Sequence, residues 1–200
     1  MIATSIAVVL MFLLSYFIGT FPSAIMVAKS KGLDIMHVGS GNPGTSNIAR
    51  AMGWKYGAAV LIMDVGKGSI ATVIGIFVSD RGLGYLCGAA AILGHMFPLQ
   101  RKFKGGKGVA TGAGIIFVMQ FFVMLLLLVM WFVMLKLTKK ASIGSIVLLP
   151  LLPVFLAVAG LPAWEIWTTI GLGVIIEIRH TANIKRLLSG SEPPLGGVVP

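Results

Sequence analysis

Three short polar segments interrupt an otherwise apolar sequence, and each combines flexible or hydrogen-bonding residues with positive charge. The first polar segment runs from Gly39 to Arg50, the second from Phe103 to Gly108 and the third from Arg179 to Arg186. Glycine lets backbone N–H groups approach a ligand closely, whereas lysine and arginine supply charge and, in arginine, a planar fork of donors. Because this combination suits a substrate that carries phosphate, we expect the chemistry of the protein to lie in these segments.

The first polar segment is rich in small hydrogen-bonding residues on a turn-prone backbone. Ser40, Asn42 and Asn47 stand among three glycines, one of which is Gly44. Such residues also occur in ordinary loops, and Asn47 could cap a short helix that carries Arg50. A helix that begins here would add its positive end and its unpaired N–H groups, so it would itself favour an anion.

The second polar segment contains Lys104-Gly105-Gly106-Lys107-Gly108. It resembles a Walker sequence only superficially, because Lys107 is followed by Gly108 and not by the Ser or Thr that holds magnesium. We interpret Lys104 and Lys107 as charges at the glycine-rich start of the next helix, where ammonium and N–H groups can share one anion. Cytoplasmic anchoring by these lysines is an equally good explanation of this segment alone.

The third polar segment places His180 and Asn183 at positions i and i+3, on one face of a helix. A lone histidine near a membrane boundary is usually structural, but here it could also donate a hydrogen bond or shuttle a proton. His37, His95 and His180 lack the spacing of a zinc site, and the chain has only six acidic residues, so we expect no metal.

Composition assigns the chain to the integral membrane proteins. Of its 200 residues, 57% are hydrophobic and 11% charged, and the mean hydropathy is +0.98. The net charge of +10 does not indicate nucleic-acid binding, because the basic residues lie between apolar runs and are not interleaved with aromatic ones. We expect one all-α membrane domain over residues 1–200, with a loosely ordered tail from about residue 189.

Hydropathy predicts six apolar stretches, and the longest of them exceeds the length of a single upright crossing. The stretches cover about residues 3–28, 56–79, 83–99, 109–135, 141–159 and 162–178. As one helix, the stretch 109–135 would measure about 40 Å against a hydrocarbon core of about 30 Å. It must therefore tilt or break into two short helices.

The distribution of basic residues favours the break. With the N-terminus outside and a turn near Gln120, seven crossings leave Arg81 as the only basic residue outside and bring the C-terminus inside. A single crossing would place the later lysines and arginines outside. The sequence thus predicts about seven transmembrane helices, two of them short, with all three polar segments at the cytoplasmic face. A re-entrant hairpin could replace a short crossing.

Asp64 and Lys67 lie inside the second apolar stretch, where charges are costly unless they are paired. Their i, i+3 spacing permits a mutual ion pair. We slightly favour a structural pair over a role in substrate binding.

Taken together, the three polar segments resemble the PlsY family, the bacterial membrane glycerol 3-phosphate acyltransferases that use acyl phosphate as donor. The matching motifs extend along nearly the whole chain. They are Gly39-Ser40-Gly41-Asn42-Pro43-Gly44 with Asn47 and Arg50, Asp64 with Lys67-Gly68, Gly94-His95-Met96-Phe97-Pro98, Phe103 to Thr111, and Arg179-His180 with Asn183, Ile184, Arg186, Leu187, Gly190 and Glu192. Thr45-Ser46 stands where the family commonly shows Ala-Thr, a change that keeps a hydroxyl. The resemblance implies a seven-helix fold in the bacterial cytoplasmic (inner) membrane with a cytoplasm-facing site.

The resemblance also implies the reaction. A fatty acyl group passes from acyl phosphate to the 1-hydroxyl of glycerol 3-phosphate, which gives lysophosphatidic acid and phosphate without a cofactor. Acyl phosphate is already activated, so positioning and charge stabilisation suffice and no covalent enzyme intermediate is expected. A soluble enzyme that makes acyl phosphate is an implied partner, beside the lipid bilayer.

We assign roles on this basis. Arg50 and Lys107 are expected to bind phosphate, and His180 with Asn183 to orient the glycerol hydroxyl or the developing oxyanion. The expected catalytic residues are Ser40, His180 and Asn183, and the expected substrate-binding residues are Asn42, Gly44, Asn47, Arg50, Lys104, Gly105, Gly106 and Lys107.

A transporter of an organophosphate anion is the main alternative. Transporters usually place their site near the bilayer midplane on broken helices and often contain repeated halves. Here the charge is expected at one face and the sequence shows no duplication. Acyltransferases that use a His-x-x-x-x-Asp pair are excluded, because Asn42, Gln100 and Lys185 stand five residues after the three histidines.

Overall fold

The computed structural model describes the backbone of residues 2–195 and the side chains of residues 5–195. Within this range the chain forms ten α-helices, one short 3-10 helix and no β-strand, in agreement with the all-α prediction. Two compact units are distinguished, one up to Met119 and one from Gln120. Residues 196–200, the end of the tail that was expected to be loose, lie outside the described residues.

The first unit is organised around its longest helix. Its helices are α1 (Ile2–Gly19), α2 (Ser23–Lys29), α3 (Thr45–Met52), α4 (Trp54–Val78), α5 (Arg81–Met96), the 3-10 helix Leu99–Arg101 and α6 (Val109–Met119). The 25-residue helix α4 packs against the other five α-helices of the unit. Both α3, which carries Arg50, and α6, which follows Lys107, therefore rest on α4.

Small residues let these helices approach closely. A Cβ atom added to Gly94 of α5 would overlap the backbone oxygen of Tyr16 in α1, and one added to Gly68 of α4 would overlap the backbone oxygen of Thr111 in α6. Such packing is typical of membrane helices, which gain little hydrophobic energy by associating in lipid. The contact of Gly68 with Thr111 also shows that α6 begins beside the middle of α4.

Several helices have the length and composition of membrane spans. Five helical segments meet both criteria, namely Ser5–Lys29, Trp54–Val78, Arg81–Arg101, Phe121–Thr138 and Ala141–Val158, and Val109–Met119 is apolar but shorter. Large apolar side chains cover their outer faces, with Phe77 87% and Phe122 83% exposed. On a soluble protein such faces would be a liability, but lipid covers them in a membrane.

The long apolar stretch 109–135 is broken at the predicted place. Helix α6 ends at Met119, Gln120 has non-helical dihedral angles of φ −146° and ψ 66°, and the next helix begins at Phe121. In the first unit, Nη2 of Arg81 donates a hydrogen bond to the backbone oxygen of Met119 at 3.5 Å. Arg81, the basic residue that the sequence predicts to lie outside, thus binds the last carbonyl of α6.

The second unit consists of α7 (Phe121–Thr138), α8 (Ala141–Val158), α9 (Ala163–Ile178) and α10 (Thr181–Leu188). Helix α8 packs against both α7 and α9. Gly144 makes room for the Trp131 ring, whose Nε1 donates to Ser145 Oγ at 3.4 Å. Helix α9 ends next to His180, so the third polar segment forms the turn into α10 and α10 itself.

Candidate active site

The loop of the first polar segment is held by Asn47, in the first turn of α3. Its Oδ1 accepts a hydrogen bond from the backbone N–H of Ser40 at 3.0 Å, and its Nδ2 donates to the backbone oxygens of Val38 at 2.8 Å and Ile35 at 3.4 Å. The side chain is only 2% exposed. Asn47 therefore supports the loop backbone, and its amide is occupied by the protein itself.

Other polar groups of this loop have hydrogen-bonding capacity to spare. Gly44 precedes α3 in an extended conformation and provides no side-chain cap, so the first N–H groups of the helix depend on other acceptors. Among the described residues, the side chains of Ser40 and Asn42 have no hydrogen-bond partner. The buried hydroxyl of Thr45 has none either. Half-buried Arg50 lies in the last turn of α3. These donors and this charge suit an anion.

The second polar segment folds back towards the end of α5. Lys102 and Phe103 adopt left-handed φ values of 51° and 61°, which are uncommon for residues with large side chains. The backbone N–H of Gly106 donates to the backbone oxygen of His95 at 3.1 Å. Gly105 and Gly106 are buried, Lys107 is half-buried and Lys104 is exposed. Of the two lysines, Lys107 thus lies deeper in the fold.

Buried polar residues of the first unit meet at Asp64. Its Oδ1 accepts a hydrogen bond from the Ser23 hydroxyl at 2.8 Å and forms an ion pair with Lys67 Nζ at 2.9 Å, while His95 Nδ1 lies 3.7 Å away. Lys67 also donates to the backbone oxygen of Phe21 at 3.2 Å. The predicted pair of Asp64 and Lys67 is confirmed, but sequence reasoning gave His95 no role. Its signal in the sequence was the motif Gly94-His95-Met96-Phe97-Pro98.

In the second unit, His180 is almost fully buried and its tautomer follows from its contacts. Nδ1 lies 2.9 Å from the backbone oxygen of Ile176. Because a carbonyl oxygen can only accept, Nδ1 carries a hydrogen, so Nε2 is an acceptor when the ring is neutral. The sequence predicts that His180 donates a hydrogen bond or shuttles a proton, and this contact commits the Nδ1 hydrogen to the protein.

Asn183 is oriented in a similar way. Its Nδ2 donates to Glu192 Oε1 at 2.7 Å. The carboxylate accepts only, so the amide nitrogen must face it and the amide oxygen must point elsewhere. That oxygen is buried and has no hydrogen-bond partner among the described residues. A buried acceptor without a donor is costly, so Asn183 is suited to receive a hydrogen bond from a ligand.

Glu192 anchors the segment that follows α10. Besides Asn183, the Ser142 hydroxyl donates to Oε1 at 2.7 Å and Arg186 Nε donates to Oε2 at 2.8 Å. Burial raises the pKa of the Glu192 carboxyl, but the hydrogen bonds from Ser142, Asn183 and Arg186, with the charge of Arg186, outweigh burial and hold that pKa below its ordinary value. The sequence predicted a loose tail from about residue 189, whereas Glu192 is only 3% exposed.

The chain is similar to known proteins along most of its length. Residues 9–190 match the profile of the family described as glycerol-3-phosphate acyltransferase. Proteins of that name from Aquifex aeolicus (strain VF5) and Bacillus subtilis (strain 168) are 39% and 35% identical to the chain over 180 and 190 residues. These alignments cover 89% and 93% of this chain and 94% and 96% of the relatives.

Two solved structures are also similar to the chain. They are crystal structures of PlsY (YgiH), an integral membrane glycerol 3-phosphate acyltransferase, in its glycerol 3-phosphate form and its lysophosphatidic acid form. Their TM-scores are 0.89 and 0.87, each at 36% sequence identity. Each comparison covers 95% of this chain and 96% of the other.

The hydrogen bonds of Glu192 predict a pH-dependent stability. Because folding lowers its pKa, the stabilisation is complete above the ordinary value near 4.5 and is lost as the pH falls through the lower folded-state pKa. Glu192→Gln should destabilise the protein at pH 7 by about 1–3 kcal/mol and flatten the loss of stability on acidification. Thermal unfolding in detergent between pH 7 and pH 3 measures both effects.

Ser191→Ala is the matched control for this prediction, because Ser191 is an exposed neighbour in the same segment. It should leave the unfolding temperature unchanged. Equal stability of Glu192→Gln and the unmodified protein at pH 7 would contradict the assignment.

Proposed function

The chain belongs to the PlsY family of integral membrane glycerol-3-phosphate acyltransferases, and we propose that it transfers a fatty acyl group from acyl phosphate to the 1-hydroxyl of glycerol 3-phosphate. The products would be lysophosphatidic acid and phosphate, in the first acylation step of phospholipid synthesis. Family membership makes the chain an acyltransferase, so the transporter alternative is dropped. The observation that carries the proposal is the first loop, where the side chains of Ser40 and Asn42 have no partner among the described residues and half-buried Arg50 supplies charge.

The geometry of the first loop supports direct transfer without a covalent enzyme intermediate. An activated serine nucleophile needs a base within hydrogen-bonding distance. Ser40 Oγ has no histidine or carboxylate partner among residues 5–195. We therefore assign Ser40 to hydrogen-bond donation, which agrees with an acyl donor that is already activated.

We propose that Arg50 and Lys107 bind substrate phosphate, with Asn42, Gly44 and Gly105 around them. Arg50 offers a planar fork and Lys107 a compact charge, and both suit phosphate oxygens. Gly44 leaves the start of α3 open to an anion. Exposed Lys104 remains a second candidate.

Two residues expected to bind phosphate receive indirect roles. The amide of Asn47 holds the first loop, and the N–H group of Gly106 is bonded to the backbone oxygen of His95. Groups already committed to the protein are poor donors to a ligand, because a ligand would have to break an existing bond. We propose that both residues shape the site for their neighbours.

We propose that His180 and Asn183 bind hydroxyl groups of glycerol 3-phosphate. Nε2 of His180 and Oδ1 of Asn183 are both acceptors, as derived above. An alcohol donates a hydrogen bond, whereas phosphate and the developing oxyanion accept one, so these atoms match hydroxyls. Of the two roles that the sequence left open, we therefore choose orientation of the glycerol hydroxyl.

The first experiment tests the reaction and the donor together. Purified protein in lipid is given labelled glycerol 3-phosphate with either palmitoyl phosphate or palmitoyl-coenzyme A, and lysophosphatidic acid is measured. We expect product from palmitoyl phosphate alone, because the site stabilises a phosphate leaving group. Product from palmitoyl-coenzyme A alone would show that acyl phosphate is the wrong donor. Product from neither donor would overturn the proposed function. Protein-free liposomes provide the background.

Substitutions test the assigned roles in the same assay. Arg50→Ala and His180→Ala should each lower kcat/KM on the order of 100-fold, because each removes a preorganised electrostatic contact. The kcat/KM of Arg50→Lys should lie between those of Arg50→Ala and the unmodified protein, since lysine keeps the charge and loses the planar fork of donors. Lys55→Ala is the matched control, an exposed basic residue five positions beyond Arg50, and should change little. Normal kinetics in folded Arg50→Ala protein would remove the phosphate-binding role.

We further propose seven crossings, with the N-terminus outside, the C-terminus inside and the active site facing the cytoplasm of a bacterium. The break at Gln120 and the distribution of basic residues support this topology. A soluble enzyme on the cytoplasmic side would then supply the acyl phosphate. Because the family match spans both compact units, we treat residues 1–200 as one functional domain.

Cysteine labelling tests the topology. Cys87 is buried and is first replaced by alanine to give a silent background. The cysteine introduced by Gln120→Cys should react in intact cells with a membrane-impermeant maleimide, because the proposed turn faces outward. The cysteine introduced by Lys102→Cys, at an exposed position directly before the second polar segment, should react only after the membrane is opened. The reverse pattern would invert the orientation, and protection of both in intact cells would refute the outward turn.

A further inference from the structure

The buried residues Ser23, Asp64, Lys67 and His95, here called the Asp64 cluster, have no assigned part in the reaction. Each is less than one-tenth exposed. Asp64 lies ten residues into α4, about 15 Å along the helix. Ionisable groups at such depth are costly, and they mark functional positions more often than surface charges do. The cluster contacts the second polar segment only through His95 in the contacts described above.

We propose that His95 is a positioning residue that sets the place of the Gly105–Gly106–Lys107 backbone and thereby of the Lys107 ammonium group. Asp64 and Lys67 hold His95 in place, so the buried ion pair acts on the site through the histidine. The inference rests on the proposed phosphate-binding role of Lys107. It would explain why α4 carries the buried charges of Asp64 and Lys67.

One side of His95 shapes the loop directly. Its backbone oxygen accepts the Gly106 N–H at 3.1 Å. A Cβ atom added to Gly106 would overlap Nε2 of the imidazole, and one added to Gly105 would overlap the His95 backbone oxygen. The loop therefore lies against both the ring and the backbone of His95, at a distance that only glycine allows.

The other side of His95 faces a fixed charge. Nδ1 lies 3.7 Å from Asp64 Oδ1, the same oxygen that binds the Ser23 hydroxyl at 2.8 Å and Lys67 Nζ at 2.9 Å. Lys67 is tied in turn to the backbone oxygen of Phe21. Electrostatic interactions are strong in a poorly solvated interior, and a carboxylate held by two donors has little freedom to move. The ring is thus confined between Asp64 and Gly106.

A displaced loop should weaken substrate binding more than it slows the chemical step. Lys107 follows Gly106 directly, so a shift of the loop displaces its ammonium group. Small misplacements of a positioned group are enough to weaken its contacts strongly. Where the lost contact serves ground state and transition state alike, KM rises and kcat changes little. A cluster that only stabilised the fold would lower the unfolding temperature without this pattern.

The test compares two replacements of one residue. His95→Leu keeps an apolar side chain and loses both nitrogens, whereas His95→Asn keeps a nitrogen near the position of Nδ1. In His95→Leu we expect KM for one phosphate substrate to rise about tenfold, with kcat and the other KM within about threefold. His95→Asn should recover most of the loss. Unchanged KM values in folded His95→Leu, or equal defects in both variants, would overturn the proposal.

Thr72→Val is the matched control, because Thr72 is fully buried in α4, the helix that carries Asp64 and Lys67, and its hydroxyl donates to the backbone oxygen of Gly68. Both kinetic constants should stay unchanged. If His95→Leu does not fold, the loop side provides a second variant. Gly106→Ala should raise the same KM, and His95→Asn should partly relieve it, because asparagine lacks the ring atoms that the new methyl group would meet. If the effects of Gly106→Ala and His95→Asn on KM simply multiply in the double variant, the proposed contact between Gly106 and the His95 ring would be refuted.

A measurement without turnover separates this inference from the proposed function. The rate at which an amine-reactive reagent labels Lys107, measured by mass spectrometry, should change in His95→Leu and Gly106→Ala. Labelling of exposed Lys55 should not change. If the protein makes no lysophosphatidic acid but Lys107 labelling responds, the proposed function fails and the positioning role stands. Unchanged labelling overturns the positioning role whatever the activity.

Discussion

A charge buried among membrane helices must be compensated by nearby partners, and the first unit is arranged around this requirement at Asp64. Lys67 neutralises the carboxylate from the next turn of α4, and Ser23 adds a hydrogen bond from the start of α2. The break between α1 and α2 supplies the backbone oxygen of Phe21 as a further acceptor for Lys67. Irregular backbone is tolerated at this depth because its polar groups are satisfied within the protein.

The same requirement connects stability to chemistry. His95 ends the chain of contacts that starts at Asp64, and the second polar segment folds over it. Glycine at position 106 is the condition for this close contact, since any side chain would meet the imidazole. The loop that precedes Lys107 thus lies on buried side chains whose own partners leave them little freedom to move.

The second unit uses a carboxylate in a comparable way, outside its spanning helices. Glu192 collects hydrogen bonds from Ser142, Asn183 and Arg186, which orders the segment after α10 and orients the Asn183 amide. His180 is oriented by a backbone carbonyl instead. In both residues a donor nitrogen faces the protein, and the Asn183 amide oxygen is buried without a hydrogen-bond partner among the described residues.

The sequence alone determined the features that depend on local pattern. Hydropathy and the distribution of basic residues located the break at Gln120, and the i, i+3 spacing of Asp64 and Lys67 indicated their ion pair, because both signals act within a few helical turns. Only the tertiary structure decided which polar groups are already occupied. Asn47 and Gly106 are predicted to bind phosphate, and the structure shows that the Asn47 amide and the Gly106 N–H already bond to backbone groups. Ser142 meets Glu192 across fifty residues of sequence. Such contacts arise from the packing of distant segments, which composition and periodicity do not encode.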